Sequence, residues 1–341
     1  MKTGGIPGGR LSLMLIAAVL LVVALIGPAL DLERDVYDFV FVLDITGSMN
    51  VADAGPGAGL RRLDFAKQLV HEALGEMPCG SRVGLAIFTE HRTFLLFAPV
   101  EVCANYLVVS TMLERIDRRM AWADRSEVAK GLYSGIDTVS TLDSIAANTR
   151  RTQLIFMTDG HEAPPVNFTL RPRFRGPAGE VSGLIAGIGG SVPVPIPILD
   201  ENDRVIGYWG HDDVLQVDRY SLGRPGTERG EPMVGIDPSA VKRQIARGTE
   251  HLSSLREAWL EQLAAETGLD YLHVTSPAAF ARRLLDSRVA TQEVTRSNVA
   301  WIPALLSLLC VLGLCGRQLL RNGVSFAIGR RRHDALRPGA V

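Results

Sequence analysis

The chain reads as an α/β protein: a doubly wound, mostly parallel sheet with one antiparallel edge strand, flanked by two transmembrane helices. Three observations predict this. Short, β-rich apolar runs alternate with stretches of helical period, the pattern of strands buried between helical layers. Two of those runs end in a carboxylate, at Asp44 and Asp159. Charge-free segments, Leu11–Leu30 and Val299–Gly316, bracket everything else.

Taken in order, Asp38–Asp44 (DFVFVLD) is a buried strand. After a Gly/Ala-rich loop, Leu60, Leu63, Ala66, Val70, Ala73, Leu74 and Met77 recur at helical spacing. Arg82–Thr89 and Arg92–Ala98 are strands joined by the two-residue turn Glu90-His91. Tyr106–Arg118 and the stretch marked by Val128, Leu132, Ile136 and Val139 are helices. Gln153–Thr158 and Gly183–Ile188 are further strands. Regular patterning fades over 191–249, an insertion carrying one hairpin, Ile198-Leu199 against Val205-Ile206. Beyond it, His251–Glu266 is helical, Tyr271–Val274 a strand and Pro277–Leu285 the last helix.

Length and composition allow one sizeable domain with attachments, spanning 36–290. The 36 basic residues are balanced by 37 acidic ones, so the basic excess that a phosphate-backbone binder needs is missing and nucleic acid is excluded as a partner. The first apolar segment follows a short N-terminus, 1–10, with Lys2 and Arg10, and is long enough to cross a bilayer core. Its end lacks an Ala-x-Ala cleavage pattern, which favours an uncleaved anchor over a signal peptide. The segment 299–316 is followed by a basic tail, 317–341, with Arg317, Arg321, Arg330, Arg331 and Arg332. A buried core helix is the alternative for it, but such a tail favours a second span with the tail in the cytoplasm. Both ends then lie inside and the domain between them outside.

The chemistry concentrates at strand ends. Asp44-Ile45-Thr46-Gly47-Ser48 puts a carboxylate and two hydroxyls at alternate positions of one tight loop, and Thr158-Asp159-Gly160 supplies a second carboxylate at another strand's carboxyl end. Ser126, near the start of a helix, can bring a third hydroxyl to the same edge, or can be a plain N-cap. Hard oxygen ligands of this kind suit magnesium first, with manganese and calcium as alternatives. An aspartyl-phosphate phosphatase would want a second carboxylate at position 46, where Thr stands. No phosphate loop, His-Glu-x-x-His pair or Gly-x-Ser-x-Gly elbow occurs either, so the chain is not expected to be an enzyme.

The ordered set Asp44, Thr46, Ser48, Ser126 and Asp159 resembles the metal-ion-dependent adhesion site of von Willebrand factor A domains, with Thr for the usual first Ser and Ser for the usual Thr. Both departures keep a hydroxyl. The resemblance implies that a partner's acidic side chain completes the shell of a cation held by these five residues. Met77–Glu90, Leu96–Tyr106, Thr158–Val166 and Pro195–Trp209 are further similar to the MxaL group of that family, accessory proteins encoded with periplasmic methanol dehydrogenase. That narrower resemblance implies an inner-membrane protein whose domain faces the periplasm and helps to mature the dehydrogenase, including insertion of its calcium. Methanol dehydrogenase or its assembly factors would then be the partner. Rival members are aerotolerance-type or MoxR-ATPase-linked membrane proteins and cell-surface adhesins.

Reflection about the Glu90-His91 turn brings Cys79 opposite Cys103, within disulfide reach; two free thiols are the alternative. Cys310 and Cys315 read as small apolar residues of the second span. His161 lies beside the site in sequence, and Tyr208 and Trp209 follow the hairpin of the insertion; these three are candidate partner-binding residues. The turn Asp200–Asp203 reads as a solvated hairpin turn, because Arg204 breaks the ligand pattern of a calcium loop.

Overall fold

The computed structural model describes residues 8–123, 125–146, 150–167, 171–218 and 238–316. Its strands are β1 (Ala29–Val36), β2 (Asp38–Asp44), β3 (Arg82–Thr89), β4 (Arg92–Glu101), β5 (Gln153–Thr158), β6 (Gly183–Gly187), β7 (Val194–Pro195), β8 (Pro197–Leu199), β9 (Val205–Tyr208), β10 (Leu252–Ser253), β11 (Asp270–His273) and β12 (Thr291–Asn298). The helices are α1 (Gly8–Ile26), α2 (Arg62–Glu76), α3 (Val102–Arg115), α4 (Val128–Ala146), α5 (Pro238–Arg247), α6 (Glu257–Thr267) and α7 (Pro277–Leu284), and residues 301–316 are also helical. The chain divides into two units, residues 35–292 and a terminal unit of 1–34 with 293–341.

In the larger unit six strands form one sheet in the order β11-β6-β5-β2-β3-β4. Every neighbouring pair is parallel except β3 and β4, so the single antiparallel edge strand is where the sequence puts it. Central β2 is buried along its whole length. Its side chains alternate between two cores, as a period of two requires. Phe39, Phe41 and Leu43 join a layer built with α2, α3 and α7, whereas Val40 and Val42 join one built with α4 and α6. Each such fully buried large side chain contributes about 1.5–3 kcal/mol.

Several element boundaries differ from the sequence reading, and those of β4, α3 and α6 have a clear cause. β4 continues past Ala98 to Glu101, because Val100 and Glu101 pair with Val83 and Arg82 beyond a bulge. α3 therefore begins at Val102, where the Glu101 side chain caps it by accepting from Ala104 N. The helix expected from His251 begins only at Glu257, since Leu252 and Ser253 pair with Pro195 and Val194 instead. That short pairing closes the base of the insertion. The hairpin of β8 and β9 forms in the expected place. Its acidic turn is clamped rather than simply solvated: Arg118 Nε donates to Asp203 Oδ1 at 2.8 Å and Arg119 Nη1 to the Glu201 carbonyl at 3.2 Å.

Cys79 and Cys103 form a disulfide, with Cα atoms 5.3 Å apart and a sequence separation of 24. Glu101 lies beside both sulfurs. Two sulfurs bonded to each other offer no thiolate to a metal, however, and the Glu101 carboxylate is occupied by Gly80 N and Ala104 N. Closing a loop of this length restricts the unfolded chain by about 3 kcal/mol. Replacing both cysteines with alanine is expected to lower unfolding stability by that amount, read from the urea midpoint of oxidised protein.

In the terminal unit, Ser307 Oγ donates to the Ala17 carbonyl at 2.9 Å, so α1 and the helix at 301–316 touch. β1 and β12 form a two-stranded ribbon. The expected span 11–30 is shortened: α1 stops at Ile26, Gly27 takes φ +69° and Ala29 opens β1. The apolar stretches left in helix, 11–26 and 301–316, reach about 24 Å each at ~1.5 Å per residue. Among the described residues no helix is long and apolar enough to cross a membrane. The basic tail from 317 lies outside the described residues.

Candidate metal centre

Strand order reverses beside β2: the chain leaves it for β3 on one side and returns to β5 on the other. Strands of a doubly wound sheet open a crevice at such a point, beyond their carboxyl ends. Asp44 ends β2 and Asp159 follows β5, so the two carboxylates lie at its two lips, both fully buried. Asp44 Oδ1 accepts from Thr46 N at 2.9 Å and its Oδ2 from Thr158 Oγ1 at 2.6 Å. A 3-10 turn over Gly47–Asn50 folds the loop back, leaving the Thr46 and Ser48 hydroxyls 3.5 Å apart. Gly160, at φ +75°, turns the chain after Asp159; a Cβ there would lie 2.9 Å from Leu260 Cγ.

Ser126 precedes α4 and is held by the chain on both sides, its N–H donating to the Ala163 carbonyl at 2.9 Å and its carbonyl accepting from Ala163 N at 2.7 Å. Its hydroxyl is buried without a hydrogen-bond partner. The N-cap reading is therefore corrected. The cap of α4 is Glu162, whose carboxylate accepts from Val128 N and Ala129 N, both at 2.9 Å, and from Trp259 Nε1 at 3.1 Å. Burial foremost, helped by the neighbouring Glu127 charge, pushes the Glu162 carboxyl up to about 7 against these three donors.

Arg62 and Glu162 escaped the sequence reading. Arg62, the first residue of α2, has no exposed surface. Its Nη1 pairs with Asp159 Oδ2 at 2.5 Å, and its Nε and Nη2 grip both oxygens of Asp53 at 2.7 Å. One signal was available: Arg62 stands four residues before Ala66, on the stripe of α2 that packs inward. The two site carboxylates consequently differ. Burial and the Asp159 charge push Asp44 up to about 7. Burial also opposes ionisation of Asp159, but Arg62 foremost, then His161 and the hydrogen bond from His161 N, holds it below the usual carboxylate range.

Above these residues is a cleft of about 250 Å³. Thr46, Gly47, Ser48 and Ser126 form its floor, and the insertion supplies the far wall through Ile196, Trp209, Val214 and Leu215. His161 and Trp209 line it. His161 is 2% exposed, and burial pushes its imidazole down to about 4, so it is neutral near pH 7. Tyr208, 58% exposed, is not among the lining residues. The donor set is all oxygen, with two carboxylates and three hydroxyls, one of them unpartnered. A hard divalent cation fits that chemistry.

No family model matches the chain, and no curated protein matches it. It is similar to solved structures of von Willebrand factor A type. An aerotolerance-related membrane protein from Bacteroides fragilis is 16% identical over 73% of this chain and 96% of that one, with a TM-score of 0.46. A von Willebrand factor type A protein from Catenulispora acidiphila is 10% identical over 75% of this chain and 42% of that one, at 0.39. The ArnB paralog VWA2 from Sulfolobus acidocaldarius is 11% identical over 76% of this chain and 46% of that one, at 0.35.

Proposed function

We propose that the chain is a membrane-attached, non-enzymatic binding protein of von Willebrand factor A type. In this reading Asp44, Thr46, Ser48, Ser126 and Asp159 hold a divalent cation, magnesium first and manganese or calcium as alternatives. When bound, the cation supplies an electropositive point with a coordination position for an acidic side chain of a partner. The observation that carries the reading is the buried, unpartnered Ser126 hydroxyl, next to the floor formed by Thr46 and Ser48. A buried hydroxyl without a partner costs about 1–3 kcal/mol, which coordination would recover.

The chain's own residues restrict what can enter. Apolar side chains of the insertion face the hydroxyl floor across a cleft large enough for little more than one side chain and its neighbour. A flat acidic surface does not fit; an acidic residue on a narrow loop or chain end does. Membrane attachment is supported by the apolar helices of the terminal unit, where Leu15, Val19, Leu305 and Leu309 are among many exposed large side chains. We place the domain in the periplasm, where its disulfide would persist. Methanol dehydrogenase or its assembly factors are the partner proposed from the sequence stretches that resemble MxaL.

A pull-down from solubilised native membranes tests this, comparing wild type with Asp44→Ala, with magnesium and with chelator. Capture of dehydrogenase or assembly factors, lost in the variant and in chelator, is the expected result. Capture indifferent to metal and to the substitution would make the five residues structural and move the partner surface elsewhere.

A further inference from the structure

Burying a guanidinium is unfavourable unless its charge is matched, and one bidentate carboxylate ordinarily suffices. Arg62 has that match in Asp53, through Nε and Nη2. Yet its remaining nitrogen, Nη1, is turned to Asp159 Oδ2, a candidate metal ligand, and to Ser253 Oγ at 2.6 Å. Ser253 Oγ also donates to Asp159 Oδ2 at 2.9 Å, so that oxygen already accepts two hydrogen bonds. The arrangement is built around the arginine: a Cβ at Gly189 would lie 2.5 Å from Arg62 Nε.

We propose that Arg62 is a resident counter-cation of the metal site, competing with the metal for the charge of Asp159 and keeping affinity low enough for the cation to exchange. This rests on the metal reading above. The physical argument is one of charge. An entering dication meets the carboxylates of Asp44, Asp53 and Asp159 together with a guanidinium that stays protonated at every physiological pH. Removing the guanidinium leaves the carboxylates uncompensated, which weakens the metal-free state and favours the loaded one. Removing Asp53 does the reverse, because Arg62 is left with Asp159 as its main counter-charge. Arg62 is a positioning residue here: it acts through Asp159 and is not proposed to touch the cation.

The two substitutions therefore shift affinity in opposite directions, whereas a purely structural arginine would make both of them weaken binding. The experiment is a Mn2+ titration of the solubilised full chain, followed by calorimetry and by the electron paramagnetic resonance of free Mn2+. Arg62→Met is expected to tighten Mn2+ binding on the order of tenfold or more, Arg62→Lys to stay near wild type, and Asp53→Asn to weaken it severalfold. A folded Arg62→Met protein that binds Mn2+ no tighter than wild type overturns the proposal. Should that variant fail to fold, Asp53→Asn binding as tightly as wild type or tighter overturns it instead. Absence of Mn2+ binding by wild type would overturn the metal reading itself, an outcome distinct from either.

Discussion

Asp159→Ala is expected to lower the folding stability of the metal-free protein by about 2–3 kcal/mol, because it leaves buried donors, Arg62 Nη1 and the Ser253 hydroxyl among them, without the acceptor they share. Arg62 would keep Asp53 but lose the Asp159 oxygen that its Nη1 and the Ser253 hydroxyl share. Urea unfolding in chelator measures the loss. Asp44→Asn should behave differently, although it removes the other carboxylate of the same site. Burial and the Asp159 charge raise the Asp44 carboxyl to about 7, so near pH 7 it is about half protonated and a neutral isostere costs the apo fold less than loss of Asp159 does. Both variants are expected to lose Mn2+ binding, but only Asp159→Ala should lose substantial stability. Equal destabilisation by the two would show that Arg62 does not depend on Asp159.

Glu162→Ala is expected to cost about 4 kcal/mol, because it strands the Val128, Ala129 and Trp259 N–H groups in a buried site. Two of them open α4, the helix that follows Ser126, so the variant should also blunt metal binding through the position of that serine. The same residue predicts a pH dependence. Folding raises the Glu162 carboxyl from its ordinary value to about 7, so the folded state holds this proton more tightly than the unfolded one. Its contribution is fully present below about pH 4.5 and is lost as pH rises through 7. Glu162→Gln cannot titrate and should flatten the apo protein's stability profile across that window. A profile with the same slope in wild type and Glu162→Gln, from urea midpoints at several pH values, would remove Glu162 as its source.

Much of the sheet was legible because its strands are buried on both faces. A run such as DFVFVLD has few other ways to bury itself, and its terminal Asp marks the carboxyl edge. The disulfide was legible for a related reason: a two-residue turn fixes the hairpin register, and the register brings 79 and 103 to one end. Elements of weak local preference were less so. Leu252 and Ser253 stand just before α6 and extend its helical pattern backward, yet they pair with β7, since what decides a two-residue strand is the partner beside it.

The candidate site divides in the same way. Asp44, Thr46, Ser48 and Asp159 sit in short local motifs whose loop geometry follows from neighbouring residues, and their convergence follows from the order of the strands. By itself the sequence therefore determined the fold class, the switch-point edge and the oxygen donors gathered there. Only the tertiary structure decided the electrostatics of those donors. It placed Arg62 against Asp159, gave the cap of α4 to Glu162 and left Ser126 unpartnered, and it walled the crevice with the insertion. Charge pairing across 97 residues and capping across 34 are long-range choices. A carboxylate's partner is set by what folding leaves within hydrogen-bond reach, and local sequence carries no record of that distance.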